Sequence, residues 1–242
     1  MRLLPRNDPR QYDDLAGEWW RPGGTFELLH WLAAARGALV PPAGRPGEVL
    51  VDAGCGGGLL APHVQRLGYR HVGVDLRRSG LEQSADRGVT PVTGDVTALP
   101  LADGAADVVV AGEVLEHVSD LPVAVAELCR VLRPGGLLVL DTVNDTRVSR
   151  FVTVTLGERL GVAPIGIHDP DLFVDPGELT AECAKHGVRL RVRGLRPSAV
   201  GLLRWLFLPN GTWPRPLGRM IPSRSTAVVY QGIGRKQGEE RE

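Results

Sequence analysis

Lysine is almost missing from this chain. Only Lys185 and Lys236 interrupt a basic complement that is otherwise arginine, and with the abundance of Ala, Gly, Val and Leu this reads as a coding bias. The formal net charge is zero, so nothing favours a polyanion and nucleic acid is not an expected partner. Cysteine is scarce. Cys55, Cys129 and Cys183 are too dispersed for a C-x-x-C metal or redox unit, and their odd number suits a reducing cytosol. No apolar run approaches the ~20 residues of a spanning helix. The opening MRLLPRNDPRQ lacks the apolar core of a signal peptide, so the expectation is a cytoplasmic protein.

What is present is an alternation of strand and helix signals. Residues 1–44 are expected to form an N-terminal helical segment: from Thr25, the expected N-cap, Leu28, Leu29, Leu32 and Leu39 recur at helical spacing. The PPAGRPG stretch at 41–47 breaks that helix. Strands are then expected near 48–53, 71–75, 89–93, 107–112 and 136–143, and helices near 58–68, 79–87, 121–132 and 177–187. Such alternation predicts an α/β fold with a doubly wound, mostly parallel sheet over residues 45–234. VVVAG and LLVLDTV are apolar throughout, as strands covered on both faces should be. Two parts break the rhythm. One is an insertion after the fifth strand, at 144–175, with a helix expected at 147–160; the other is an apolar segment at 198–222. Residues 225–234 read as a last strand and 235–242 as a disordered tail.

The first strand ends in a glycine-dense turn, VLVDAGCGGG at 49–58, and Asp75 closes the next strand 21 residues after Gly54. Glycines let a ligand lie against the backbone, and an acid at the end of the second strand accepts hydrogen bonds from ribose hydroxyls. Gly54, Gly56 and Gly58 give G-x-G-x-G, and Leu59 stands where the dinucleotide pattern needs glycine. This spacing favours S-adenosylmethionine (SAM) over a nicotinamide dinucleotide. Cys55 lies in the turn, where a small side chain is needed. Asp95 either bonds the adenine amino group or caps its own turn.

Residues 94–118, GDVTALPLADGAADVVVAGEVLEHV, complete a resemblance to the class I SAM-dependent methyltransferase fold over about residues 45–145. Two flanking segments, WWRPGGTFELLH at 19–30 and GIHDPDLFVDPGEL at 166–179, resemble the ubiquinone-biosynthesis O-methyltransferase family and extend the likeness to most of residues 12–195. The resemblance implies a Rossmann-like fold and SAM contacts from Arg36, Gly54 and Gly112, beside Asp75 on the ribose. Asp52, Gly56, Leu76, Asp95 and Val96 complete the expected cofactor-binding set. It also implies a divalent ion, Mg²⁺, held by the E-x-x-E-H motif through Glu113, Glu116 and His117, and a phenolic or catecholic, lipophilic acceptor.

A hard cation lowers the pKa of a catechol hydroxyl and aims one oxygen at the methyl group. Without an ion, His117 is a general base, or Glu116 and His117 simply cap a helix or line the SAM pocket. His168 either forms a base–orienter pair with Asp169 or fixes the insertion. The expected catalytic set is therefore His117, Glu116 and His168. Phe151, Leu156, Leu160, Trp205, Leu206 and Phe207 either rest on a bilayer surface or close over the core. Trp19 and Trp20 are a lid or anchors of the N-terminal helix. Departures from the family pattern, Ala33-Ala34-Ala35 before Arg36, Asn144-Asp145 after the fifth strand and Ile167, fall on the substrate side. The rival readings are a C- or N-methyltransferase and a SAM-binding scaffold without turnover.

Overall fold

The computed structural model describes residues 4–161, 163–207 and 218–238. Five strands, β1 (Val49–Ala53), β2 (Arg70–Asp75), β3 (Thr90–Thr93), β4 (Ala106–Gly112) and β5 (Leu132–Val143), run parallel in the order β3-β2-β1-β4-β5. β6 (Val188–Pro197), β7 (Met220–Ser223) and β8 (Val229–Lys236) continue the sheet as β5-β8-β6-β7, each neighbour antiparallel to the last. Strand order reverses between β1 and β4, and a reversal of this kind opens a crevice at the carboxyl ends of the strands.

The helices are α1 (Gln11–Asp14), α2 (Glu27–Gly37), α3 (Ala61–Val64), α4 (Arg78–Ala85), α5 (Leu121–Val131), α6 (Arg147–Ser149), α7 (Gly157–Arg159), α8 (Pro176–Lys185) and α9 (Ala199–Phe207). Side chains of the central strands alternate between two cores, as the period of two requires. Val51, Val109 and Leu138 join one cluster with Leu128 of α5 and Leu179 of α8. Leu50, Val108 and Val139 join the other, with Leu60 and Val64. Neither face meets water, which is why these strands read as unbroken apolar runs.

Several expectations need correction. The expected helix at 58–68 shrinks to α3 and a tight turn at Gln65–Leu67, because Gly58 has φ of 78° and still belongs to the glycine turn. Phe26, not Thr25, sits at the N-cap of α2, and no side chain caps it. The last strand begins at Val229 rather than 225 and runs through Arg235 and Lys236, which are therefore not part of a tail; residues 239–242 lie outside the described residues. β6 was not expected at all. β7 and α9 both fall inside the apolar segment at 198–222, of which 208–217 lie outside the described residues. The expected helix at 147–160 forms, opened by a Thr146–Ser149 capping box, but widens to i→i+5 bonding over Arg150–Leu156.

The N-terminal segment lies across the crevice. Asp13 of α1 pairs with Arg77 and accepts from the Ser79 hydroxyl at the start of α4 (2.6 Å). The Trp20 indole donates to the Gly57 carbonyl (2.9 Å), with the Arg87 guanidinium over its ring. Further toward the N-terminus, Arg6 pairs with Glu158 and donates to the His168 carbonyl, fastening the same segment to the insertion.

Candidate active site

The crevice holds a cavity of about 750 Å³. Its floor is the glycine turn. The amides of Gly54 and Cys55 both bond the Val74 carbonyl, which fixes the turn against β2. Gly54 and Gly56 take φ of 74° and 50°, and a Cβ on Gly56 would stand 2.4 Å from the Trp19 ring. Asp75, at the end of β2, accepts from the Gly56 amide (2.8 Å) and the Arg77 amide (2.8 Å). Burial raises its pKa against those two bonds. Asp52, Leu76, Asp95 and Val96 line the same end of the cavity. Asp95 also binds Thr97 through its amide (2.8 Å) and hydroxyl (2.7 Å), so it does cap its own turn. Burial, with Asp52 and Asp75 nearby, pushes the Cys55 thiol up, away from any role as a thiolate.

Deeper in lies a cluster of acids with one cation. Arg36, on α2, pairs with Asp141 of β5 at 2.5 Å, and both are buried. Gly112 leaves room for the pair: a Cβ there would stand 2.1 Å from the guanidinium carbon. The Arg36 Nε is buried and has no partner. Glu113 and Glu116 share this surrounding, and Thr142 donates to Glu116 Oε2 (2.7 Å) while Glu116 Oε1 stays unpartnered. Burial raises Glu113 well above the carboxylate range, with Glu116 and Asp141 adding to it, and burial lifts Glu116 to about 7. Glu113 holds φ of 51°, a left-handed conformation rare outside glycine, which turns it toward this cluster.

At the other side of Glu116 stand two stacked imidazoles, His117 and His168, with centroids 5.4 Å apart. Burial lowers them to about 3 and about 4, so both rings are neutral at working pH. Among the described residues, Glu116, His117 and His168 bring ligand atoms within 4.8 Å of one another. Glu113 is not in that group, so E-x-x-E-H does not converge as one ligand set. Nor do His168 and Asp169 pair: Asp169 accepts from the Asp171 amide (3.1 Å) and His168 Nδ1 is buried without a partner.

A methyltransferase domain model matches residues 51–140. The ubiquinone biosynthesis O-methyltransferase of Cupriavidus pinatubonensis is 35% identical over 205 residues, covering 79% of this chain and 82% of its own. The one of Methylobacterium nodulans is 32% identical over 248 residues, covering 94% and 93%. The chain belongs to this family. It is a SAM-dependent methyltransferase. Among solved structures, a geranyl diphosphate C-methyltransferase from Streptomyces coelicolor, in complex with Mg²⁺, geranyl diphosphate and S-adenosylhomocysteine, shares the fold with a TM-score of 0.59 at 18% identity. That likeness covers 84% of this chain and 77% of the other.

For a member of this methyltransferase family, the residues present fit SAM. A glycine cradle, an acid presented by two amides and a buried guanidinium with an unused N–H all line one cavity. Fit to an ion is a matter of donor chemistry: one carboxylate with an unpaired oxygen and two imidazoles suit Mn²⁺ or Zn²⁺ better than Mg²⁺, which prefers oxygen. Sequence reasoning missed Asn7, Tyr12 and Asp141. The lone acid in the apolar run LLVLDTV was a signal for Asp141; nothing local marks Asn7 or Tyr12.

Proposed function

We propose that this enzyme transfers the SAM methyl group to a hydroxyl of a phenolic or catecholic, polyprenylated quinone precursor. The observation that carries the reading is continuity: one cavity joins the glycine turn and Asp75 to the two imidazoles and then to an apolar mouth formed by α2, the insertion and α9. Leu28, Leu32, Val152, Leu156, Leu202 and Leu206 line that outer part. SAM supplies a sulfonium-activated methyl carbon, so the protein needs chiefly to bring an oxygen to ~3 Å from it, in line with the leaving sulfur. In this reading Asp75 holds the ribose, Asp95 the adenine and Arg36 the carboxylate end. His117, which lines the cavity, faces the acceptor and deals with its proton, with Glu116 buried beside it. An ion held by Glu116, His117 and His168 would lower the hydroxyl pKa.

The names of the relatives supply the acceptor class. The exposed apolar residues around the mouth suit a lipid tail reached from a bilayer surface, with Ile165 73% and Phe207 75% exposed. No helix among the described residues is long and apolar enough to cross a membrane.

The test is S-adenosylhomocysteine release from catechols and polyprenyl phenols presented in lipid vesicles, with Mn²⁺, with Mg²⁺ and with EDTA. Turnover is expected on prenylated catechols, lost in EDTA and restored by Mn²⁺ more fully than by Mg²⁺, with the protein sedimenting with the vesicles. Turnover indifferent to EDTA would remove the ion and leave His117 as the base; no turnover on any phenol would remove the O-methylation reading. Asp75→Ala is expected to weaken SAM binding by about 1–3 kcal/mol, or about 5- to 150-fold in Kd. Calorimetric titration showing unchanged affinity would take the ribose role away from Asp75.

A further inference from the structure

The N-terminal segment delivers two polar side chains to His117, and together they decide which of its ring nitrogens carries the proton. Asn7 makes three bonds. Its amide N–H donates to the Gly166 carbonyl (2.9 Å), its Nδ2 donates to the backbone carbonyl of His117 (3.0 Å), and its Oδ1 lies 2.6 Å from His117 Nδ1. The bond to the His117 carbonyl fixes which way the side-chain amide faces, because a carbonyl only accepts. Oδ1 must then face Nδ1, and since Oδ1 also only accepts, Nδ1 must carry the hydrogen. That leaves Nε2 bare. The Tyr12 hydroxyl lies 3.1 Å from Nε2, so the bare nitrogen already receives a phenolic O–H, the kind of group a catechol brings.

The backbone at Asn7 agrees with this reading. Its φ of 58° is left-handed, a conformation that asparagine tolerates better than most side chains. The position thus selects for glycine, asparagine or aspartate, and of these only the last two reach His117. His117 and Asn7 both line the cavity, with His168 stacked on the imidazole from the insertion.

We propose that Asn7 is a positioning residue for methyl transfer: it holds His117 in the Nδ1–H tautomer and so presents the Nε2 lone pair to the pocket. This rests on the O-methyltransferase reading above, in which the acceptor hydroxyl or an ion takes the place of the Tyr12 O–H on that lone pair. In both cases a fixed second nitrogen orients the first.

The test uses two variants that keep the backbone unstrained. Asn7→Gly accepts the left-handed φ and removes the amide; Asn7→Asp keeps an oxygen that can accept from Nδ1. Nitrogen NMR of the imidazole rings in the full-length protein bound to S-adenosylhomocysteine, with His117→Gln to assign the signal, reads the tautomer without any turnover. The wild type is expected to show Nδ1 protonated and Nε2 bare. In Asn7→Gly the proton should redistribute to Nε2 while affinity for S-adenosylhomocysteine is unchanged. On a prenylated catechol kcat should fall by about 10- to 100-fold, the usual cost of losing an orienting partner, with KM little changed. Asn7→Asp should restore both the tautomer and most of kcat. A wild-type ring protonated at Nε2, an Asn7→Gly tautomer identical to wild type, or a redistributed proton with unchanged kcat each overturns the proposal. If no phenol is methylated, the O-methylation reading fails while the tautomer spectra still decide the role of Asn7 toward His117.

Discussion

Arg36→Ala is expected to cost about 3–5 kcal/mol of stability, the largest effect of any single change considered, because it strips a buried acidic cluster of its cation. Asp141 bonds Arg36 directly, and Glu113 and Glu116 lie in the same enclosure. With the guanidinium gone, their charge has no compensation in a low-dielectric site and the carboxylates must take up protons. The loss should therefore be greater at pH 8 than at pH 5, where protons are cheaply available. Replacing both partners with apolar side chains, Arg36→Met with Asp141→Leu, should lose less than Arg36→Ala alone, since a buried pair repays little of its own desolvation. Urea unfolding of the three proteins at both pH values checks this. Wild-type stability for Arg36→Ala at pH 8 would mean that the pair is not buried in solution as it is here.

The second large effect is a pH dependence. Glu116 has a folded-state pKa of about 7 against an ordinary 4.5, raised chiefly by burial. The folded protein therefore holds a proton that the unfolded chain releases across this window. The resulting stability is fully present below pH 4.5 and is lost as pH rises toward 7, a swing of up to about 3 kcal/mol. Glu113 and Asp141 are raised in the same direction and steepen the same fall. Glu116→Gln should flatten its share, so that variant and wild type diverge with rising pH when urea midpoints are compared from pH 4.5 to 8. Parallel curves would sink the assignment. Adding a divalent ion should oppose the trend, because binding requires the carboxylate ionised.

How much of this was legible in sequence depends on how local the cause is. β1, β4 and β5 could be read because both faces are covered, which turns burial into an uninterrupted apolar run. β6 carries the opposite signature: Val188, Leu190 and Val192 alternate with the exposed Arg189, Arg191 and Arg193, as on a strand with one face in water. That signal was available, and its density of arginine hides it. Glycine spacing and the acid at position 75 pointed to the nucleoside end because loop and strand there are neighbours in the chain. The acceptor end gave less away. His117 meets Asn7 and Tyr12 from more than a hundred residues earlier in the chain and His168 from about fifty later, and no periodicity encodes such meetings. The resemblance pointed to His117 through E-x-x-E-H, whereas His168 was open between pairing with Asp169 and fixing the insertion; the fold stacks it on His117.

The segment laid across the crevice gives the molecule a division of labour. The glycine turn and Asp75 come from the sheet and its first turns, whereas the histidine pair is bracketed by pieces that the sheet does not require: residues 4–12 and the insertion. Those two pieces meet one another directly, through Arg6 with Glu158 and Asn7 with Gly166. A change of acceptor then belongs to the outer pieces as a set, and exchanging one alone would break the seam between them. Inheritance should follow that seam, with the first dozen residues and the insertion drifting together from relative to relative while the glycine turn stays constant beneath them.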